Sequence, residues 1–326
     1  MNEQPTAMSG FLIQQAHALV QVQDAGRYGY AKVGVTAGGW LDATAARLAN
    51  ALVDNSANAA LLEIALGGFR AQAQAECVIA LTGANLPITI NGIAQSRYQR
   101  IQLIAGDVIS VGYANRQGAR CYLAVHGGLQ TTEILGSRAT VLREQLSPFA
   151  GAPLTAGQLL PFLPSRAYGN LSLPYPWHYR HRRFRRLALV VGAQAEFLGS
   201  QLASVSAQIY QVSPAADRMG VRLQGYAVAM PHMNLISEGL SVGAVQLPPD
   251  GQPIVMLRDH QTMGGYPKLG ALCRQSQALL GQALPGDFCQ FALIDASTAI
   301  TKARAYEAQL LAIEQQLRSQ AGAWRV

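Results

Sequence analysis

Lysine is scarce in this chain of 326 residues: there are three, at positions 32, 268 and 302, against 22 arginines. Aspartate and glutamate together number only 18. No cluster of His, Cys and carboxylate has metal-ligand spacing, so no metal site is expected. The four cysteines, Cys77, Cys121, Cys273 and Cys289, form no C-x-x-C pair. Three of them sit in the apolar runs "CVIALT", "CYLAV" and "FCQFALI", which reads as small buried hydrophobes in a reducing compartment. No apolar stretch approaches eighteen residues, and the first twenty carry an acidic residue without a basic leader region. A cytoplasmic chain with no membrane partner is expected. Also missing are a Walker A sequence, H-E-x-x-H, G-x-S-x-G and an Ala-Met-Lys-Met-type biotin attachment site, so no self-contained nucleotide, metal or biotin site is declared.

What the chain does have is apolar mass. Half its residues are hydrophobic and 13% are charged, the balance of a folded protein with a large core. Its length favours two domains or two halves. The net charge of +7 suggests nucleic acid only until it is located. Arg166, Arg180, Arg182, Arg183, Arg185 and Arg186 lie in one stretch that has no acidic residue between Gln145 and Ala195, and without these six the net charge is +1. No nucleic-acid motif accompanies them, so "WHYRHRRFRR" reads as a solvated linker or subunit rim.

Short β-type runs punctuated by turn residues recur: "CVIALTG", "LPITI" before Asn91-Gly92, "RIQLI", "VISVG" and "CYLAV", then "LALVVG", "IYQV", "GAVQL", "PIVML" and "FCQFALI". Asn-Gly between apolar runs is a hairpin signal, because both turn positions need positive φ. "AGDVISV" and "PGDFCQF" are similar strand openings in the two halves, a hint of duplication. Asp42 is placed to cap a helix over "ATAARLANALV", with Leu41, Ala45, Leu48, Ala49 and Leu52 on one face. The C-terminal "STAITKARAYEAQLLAIEQQLRSQ" places Ala303, Tyr306, Leu310, Ile313 and Leu317 in one helical stripe. The expected fold is mainly β in two strand-rich halves, 11–160 and 187–326, with a Pro/Arg-rich linker over 161–186 and a C-terminal helix.

Four polar segments stand out. "VQDAGRYGYAKVGV" sets Asp24, Arg27 and Tyr28 among glycines that can converge backbone N–H groups on a ligand or simply shape a hairpin. "SPAADRMGVRLQG" holds Asp217 and Arg218, either a local ion pair or a grip on an anion. "LISEGLSVGAVQLPPDGQPIV" supplies Ser237, Glu238, Asp250 and Gln252, with Asp250 in a tight Pro-Pro-Asp-Gly turn. "RDHQTMGGYPKLG" then crowds Arg258, Asp259, His260, Gln261, Tyr266 and Lys268 around Gly264, Gly265 and Pro267. A lysine held there, in a chain with two others, is a candidate functional group.

Together these segments, with "LTGANL", "AVHGGL" and "LGSRAT", resemble the allophanate hydrolase subunit 2 or KipA-like biotin-dependent carboxyltransferase family, which includes the C subunit of prokaryotic 5-oxoprolinase. The resemblance implies cyclophilin-like β-barrel architecture and work beside a KipI-like subunit 1, or B subunit. For free-standing members it implies ATP-dependent opening of 5-oxo-L-proline to L-glutamate, with a lactam-utilisation A subunit also required and ATP used by the assembled complex. Two alternatives stay open: a biotin-dependent carboxyltransferase component acting on urea or an amide, and a regulatory binder of a KipI-type kinase inhibitor. The sequence departs from the family pattern at Thr36 and Gly38, where Pro and Ser are usual, and at His260 and Arg258, where Arg and a small residue are usual.

A lactam carbonyl is a poor electrophile, so its opening needs a donor on oxygen, a grip on the substrate carboxylate and exclusion of water. The candidate catalytic residues are Asp250, Asp259, His260 and Lys268. The candidate substrate-binding residues are Arg218, Asp217, Gln252, Gln261, Tyr266, Asp24 and Arg27. Arg218 and Lys268 suit anionic groups, the two aspartates and His260 proton exchange, and Gln252, Gln261 and Tyr266 orientation of an amide.

Overall fold

A computed structural model describes residues 9–167, 169–228 and 235–323. The chain forms two compact units that are not consecutive in sequence. The first gathers Met1–Gly26, Ala43–Arg180 and Ala312–Val326; the second gathers Arg27–Asp42 and His181–Leu311. Sixteen residues from near the start of the chain therefore belong with the C-terminal half, which a linear division at 161–186 does not anticipate.

In the first unit, alternating apolar residues build two antiparallel sheets. One contains Gly10–Gln15, Phe69–Ala73, Val108–Val111 and Ile88–Ile90, and the other Val20–Gln23, Leu61–Ala65, Arg120–Val125 and Cys77–Gly83. Phe11, Ile13, Phe69 and Ile109 of the first sheet share one core with Leu62, Ile64, Ile79 and Leu123 of the second. The Asn91-Gly92 hairpin forms as expected: Ile90 pairs with Ile93, and the two turn residues take φ of 51° and 82°. The expected helix runs Ala43–Leu52 and buries Ala45, Leu48, Ala49 and Leu52. Leu41, expected on the same face, instead joins the core of the second unit.

The second unit is a closed seven-stranded barrel, in the order Phe184–Val191, Lys268–Leu272, Ala244–Gln246, Ile254–Met256, Gly220–Gln224, Tyr210–Val212 and Phe288–Ile294. Leu187, Leu189, Val221, Leu223, Val245, Val255, Leu269 and Phe291 fill it. Closure is tight at Gly270, where φ is +149° and a Cβ would fall 1.9 Å from the Val190 carbonyl oxygen, so only glycine fits. The C-terminal helix, Ala296–Ala323, buries Leu310, Ile313 and Leu317 of its expected stripe, whereas Ala303 is exposed.

The echo between "AGDVISV" and "PGDFCQF" has a structural counterpart, because the same turn opens a strand in each unit. Asp107 Oδ2 accepts the Ile104 N–H at 2.9 Å, and Asp287 Oδ2 accepts the Leu284 N–H at 2.9 Å. Gly106 and Gly286 supply the positive φ before each aspartate. In both units the strand beside the turn clasps it twice, through Ala73 in the first and Val212 in the second.

The Pro/Arg-rich segment is more ordered than a linker. Leu171 and Leu173 are buried, the Tyr98 hydroxyl accepts the Tyr179 N–H at 2.8 Å, and the Tyr98 ring stacks on His178 at 4.2 Å. Nor is the arginine cluster uniformly solvated. Phe184 begins a barrel strand whose alternation turns Arg185 inward, where it is 5% exposed and donates to Asp287 at 2.9 Å, while Arg182, Arg183 and Arg186 face water. All four cysteines are free. Burial pushes the thiols of Cys77, Cys121 and Cys289 up to about 12, which keeps them protonated and unreactive. Among the described residues no helix is long and apolar enough to cross a membrane, and no group of three or more His, Cys, Asp or Glu is placed to hold a metal.

Candidate active site

The candidate residues of the second unit gather at opposite ends of the short Ile254–Met256 strand. Antiparallel register sets Gln246 opposite Ile254 and also opposite Lys268, so Lys268 lies at the end where that strand begins. Gly220 pairs with Met256, so the preceding Arg218 lies where the strand ends. Arg218 and Asp259 therefore lie toward one end of that strand and Lys268 toward the other.

At the Lys268 end three side chains interlock. Lys268 Nζ lies 2.8 Å from Glu238 Oε1 and donates a longer contact of 3.5 Å to the Gly239 carbonyl. Gln194 Nε2 donates to the same Glu238 Oε1 at 2.5 Å, while Gln194 Oε1 accepts the Lys268 backbone N–H at 2.7 Å. Lys268 and Gln194, by hydrogen bonding its ionised form, hold the Glu238 carboxyl below its ordinary range. Gln246 lies buried beside this cluster, and its amide donates to the Tyr266 carbonyl at 3.5 Å. A Cβ at Gly264 would come within 2.7 Å of that amide nitrogen, so a larger residue there would displace the Gln246 side chain. The Tyr266 side chain is half exposed.

At the other end Arg218 and Asp259 form a buried two-pronged pair: Nε to Oδ2 and Nη2 to Oδ1, both 2.9 Å. Arg218 Nη2 also donates to the Gly39 carbonyl at 2.8 Å, so this arginine is committed to the protein. His260 is buried, its Nδ1 2.6 Å from the Gln261 carbonyl oxygen. Thr36 Oγ1 donates to the His260 carbonyl at 3.2 Å, so two positions that depart from the family pattern meet. Arg258 Nη1 donates to the Tyr28 hydroxyl at 3.0 Å, joining the glycine-rich segment to the same loop.

Of the remaining candidates, Asp217, Asp250, Gln252 and Asp24 hold backbone groups. Asp217 Oδ1 accepts the Met219 and Gly220 N–H groups at 2.8 and 3.0 Å, an Asx turn that presents Arg218. Asp250 Oδ1 accepts the Gln252 N–H at 3.0 Å, and Gln252 grips both the N–H and the carbonyl of Gly225. Gln261 is half-buried. Asp24 belongs to the first unit, where its carboxylate accepts from Gly26 N, Ser137 Oγ and Arg138 N at 2.8, 2.6 and 2.7 Å. Arg27 belongs to the second unit and is 2% exposed, its backbone N–H bonded to the Ala37 carbonyl at 2.8 Å. Sequence reasoning missed Gln194 entirely and left Glu238 without a role. No local signal marks Gln194, which lies 74 positions from Lys268 in an ordinary Ala/Gln stretch.

With this geometry in view, the family model described as "Carboxyltransferase domain, subdomain A and B" matches residues 33–293. The chain belongs to the carboxyltransferase-domain family. Among this family's members it is 34% identical to the C subunit of 5-oxoprolinase from Escherichia coli strain K12, over 91% of this chain and 96% of that protein. Among solved structures, TTHA0988 is 32% identical with a TM-score of 0.78, the match covering 90% of this chain and 57% of that one. The Kluyveromyces lactis urea carboxylase is 25% identical with a TM-score of 0.86, the match covering 94% of this chain and 29% of that one. This carboxyltransferase-family chain thus spans little more than half of TTHA0988 and under a third of the urea carboxylase.

Proposed function

We propose that this chain is the C subunit of an ATP-dependent 5-oxoprolinase, a cytoplasmic complex that opens 5-oxo-L-proline to L-glutamate together with a KipI-like B subunit and a lactam-utilisation A subunit. The observation that carries the reading is the likeness to the C subunit of the Escherichia coli 5-oxoprolinase across nearly the full length of both proteins. The site chemistry is compatible with it. Lys268, with a partly exposed side chain, offers an ammonium for the substrate carboxylate, and the half-exposed Tyr266 two positions earlier in the chain offers a neutral donor for the lactam. Arg218, bound on both prongs by Asp259, serves to fix the loop that carries His260, and Asp217, Asp250 and Gln252 set turns. ATP is used by the assembled complex.

The test is reconstitution. The purified chain alone will not hydrolyse ATP in response to 5-oxo-L-proline, and addition of the A and B subunits will restore coupled release of phosphate and glutamate. Strong 5-oxoproline-dependent ATP hydrolysis by the isolated chain would refute the obligate complex.

A second reading, the carboxyltransferase component of a biotin-dependent urea or amide carboxylase, draws support from the likeness to the Kluyveromyces lactis urea carboxylase. Carboxylation of urea on addition of a biotinylated partner, with no response to 5-oxo-L-proline, would select it. High-affinity binding of a KipI-like protein that is indifferent to both substrates would instead select a regulatory role.

A further inference from the structure

Glu238 Oε1 receives two side-chain donors: Lys268 Nζ from a barrel strand at 2.8 Å and Gln194 Nε2 from the short 3-10 helix Ala193–Leu198 at 2.5 Å converge on that one oxygen. Paired charge-assisted donors of this kind make a carboxylate site. The two sides of the contact are held unequally. Lys268 opens the barrel strand Lys268–Leu272, and its backbone N–H is fastened to Gln194 at 2.7 Å. Glu238 stands outside the barrel on the two-residue strand Glu238–Gly239, whose ladder is with Met263–Gly264, and its flanking residues Ser237 and Gly239 are exposed. If the contact opens, the donors stay and the carboxylate leaves.

We infer that Lys268 and Gln194 form a binding site for the carboxylate of a small substrate, and that Glu238 is an internal stand-in that the substrate must displace. The inference rests on the 5-oxoprolinase reading for the identity of the substrate, since 5-oxo-L-proline carries a carboxylate and urea does not. Its consequence is selectivity. A neutral amide gains little from evicting Glu238, whereas a carboxylate replaces one ion pair with an equivalent one. Competition also weakens apparent affinity, because the fraction of sites with Glu238 out sets the binding-competent population.

The experiment has two arms. In the reconstituted complex, Glu238→Gln is expected to lower KM for 5-oxo-L-proline at least threefold, and Gln194→Ala to raise it at least fivefold; Glu238→Ala serves if the glutamine variant folds poorly. An unchanged or raised KM in the Glu238 variants overturns the inference. The second arm needs no turnover. With 13C-lysine incorporated in this chain alone and the partner subunits unlabelled, its three lysines give three side-chain signals, which lysine-to-arginine variants assign. Added to the Glu238→Gln complex, 5-oxo-L-proline is expected to shift the Lys268 signal and leave Lys302 in place, while neutral 2-pyrrolidone moves neither. No Lys268 response to the anion, or an equal response to the neutral lactam, overturns the inference. A wild-type complex without 5-oxoproline turnover refutes the functional reading instead, and the NMR result still decides whether the carboxylate site exists.

Discussion

Lys268 and Arg218 bear the same charge and are employed differently. Arg218 is buried, with Asp259 and the Gly39 carbonyl taking its donors, so its charge is spent on architecture. Lys268 keeps part of its side chain in solvent and pairs with a glutamate that is itself half exposed. Exposed pairs of that sort contribute ~1 kcal/mol or less to stability. Lys268→Ala is therefore expected to leave the melting temperature and subunit assembly nearly unchanged while cutting turnover of the complex by about 100-fold, roughly 3 kcal/mol of lost charge-assisted contact. Lys302→Ala, on the exposed face of the C-terminal helix, is the control and is expected to match wild type. Equal activity of the two variants in a steady-state assay would remove Lys268 from the site.

Among elements, the strand opening at Phe184 and the C-terminal helix each permit a sharp test. Arg185 and Asp287 form a buried pair that ties the first barrel strand to the turn before the last. Removing one member of such a pair leaves a buried charge, at a cost of about 3–5 kcal/mol. Arg185→Ala should lower the melting temperature strongly, whereas neutralising Arg182, Arg183 and Arg186 together should leave melting and turnover near wild type. Asp295 caps the C-terminal helix, accepting the Thr298 N–H at 2.8 Å and the Ser297 and Thr298 hydroxyls at 2.6 and 2.7 Å. These bonds hold its carboxyl well below the ordinary aspartate range. Because the folded value lies below the unfolded one, the cap contributes fully above the ordinary aspartate pKa of about 4 and loses its contribution as pH falls below that. Protection of the first-turn amides against exchange, taken relative to their intrinsic rates at each pH, should fall on acidification, and Asp295→Asn should blunt the change.

These elements also mark how far sequence reading reaches. The hairpin at Asn91-Gly92, the Ala43–Leu52 helix and the paired Gly-Asp turns are legible because each depends on a few neighbouring residues. The same Gly-Asp turn makes Asp287 recognisable, but not its partner 102 positions away, so the inward turn of Arg185 is invisible from composition. The crowded loop from Arg258 to Lys268 is visibly unusual in the sequence. Its division between two ends of the barrel, and the recruitment of Gln194, depend on register and closure, which local pattern does not encode.

For the molecule as a whole, the second unit depends on residues that lie far upstream. Arg27–Asp42 supplies it with Leu41 for the core, the Gly39 carbonyl for Arg218, the Thr36 hydroxyl for the His260 carbonyl and the Asp42 carboxylate for Gln282 at 2.9 Å. A fragment beginning at His181 lacks all four. It is expected to melt without cooperativity, and a synthetic peptide covering residues 27–42 is expected to restore a sigmoidal transition in circular dichroism. A fragment that melts as sharply as the intact chain without the peptide would show that the upstream segment is dispensable for folding.

That upstream segment also imposes a schedule on biosynthesis. Asp42 and its partner Gln282 are 240 positions apart, so at ribosomal rates of about 5–20 residues per second the segment waits roughly 10 to 50 s for the last of its contacts to be made. Throughout that interval the apolar side chain of Leu41 has no core to enter, and the first unit must fold around a gap in its own sequence. Nascent chains should therefore be open to proteases and chaperones within residues 27–42 until Gln282 has been synthesised, and slower elongation should lengthen that exposure.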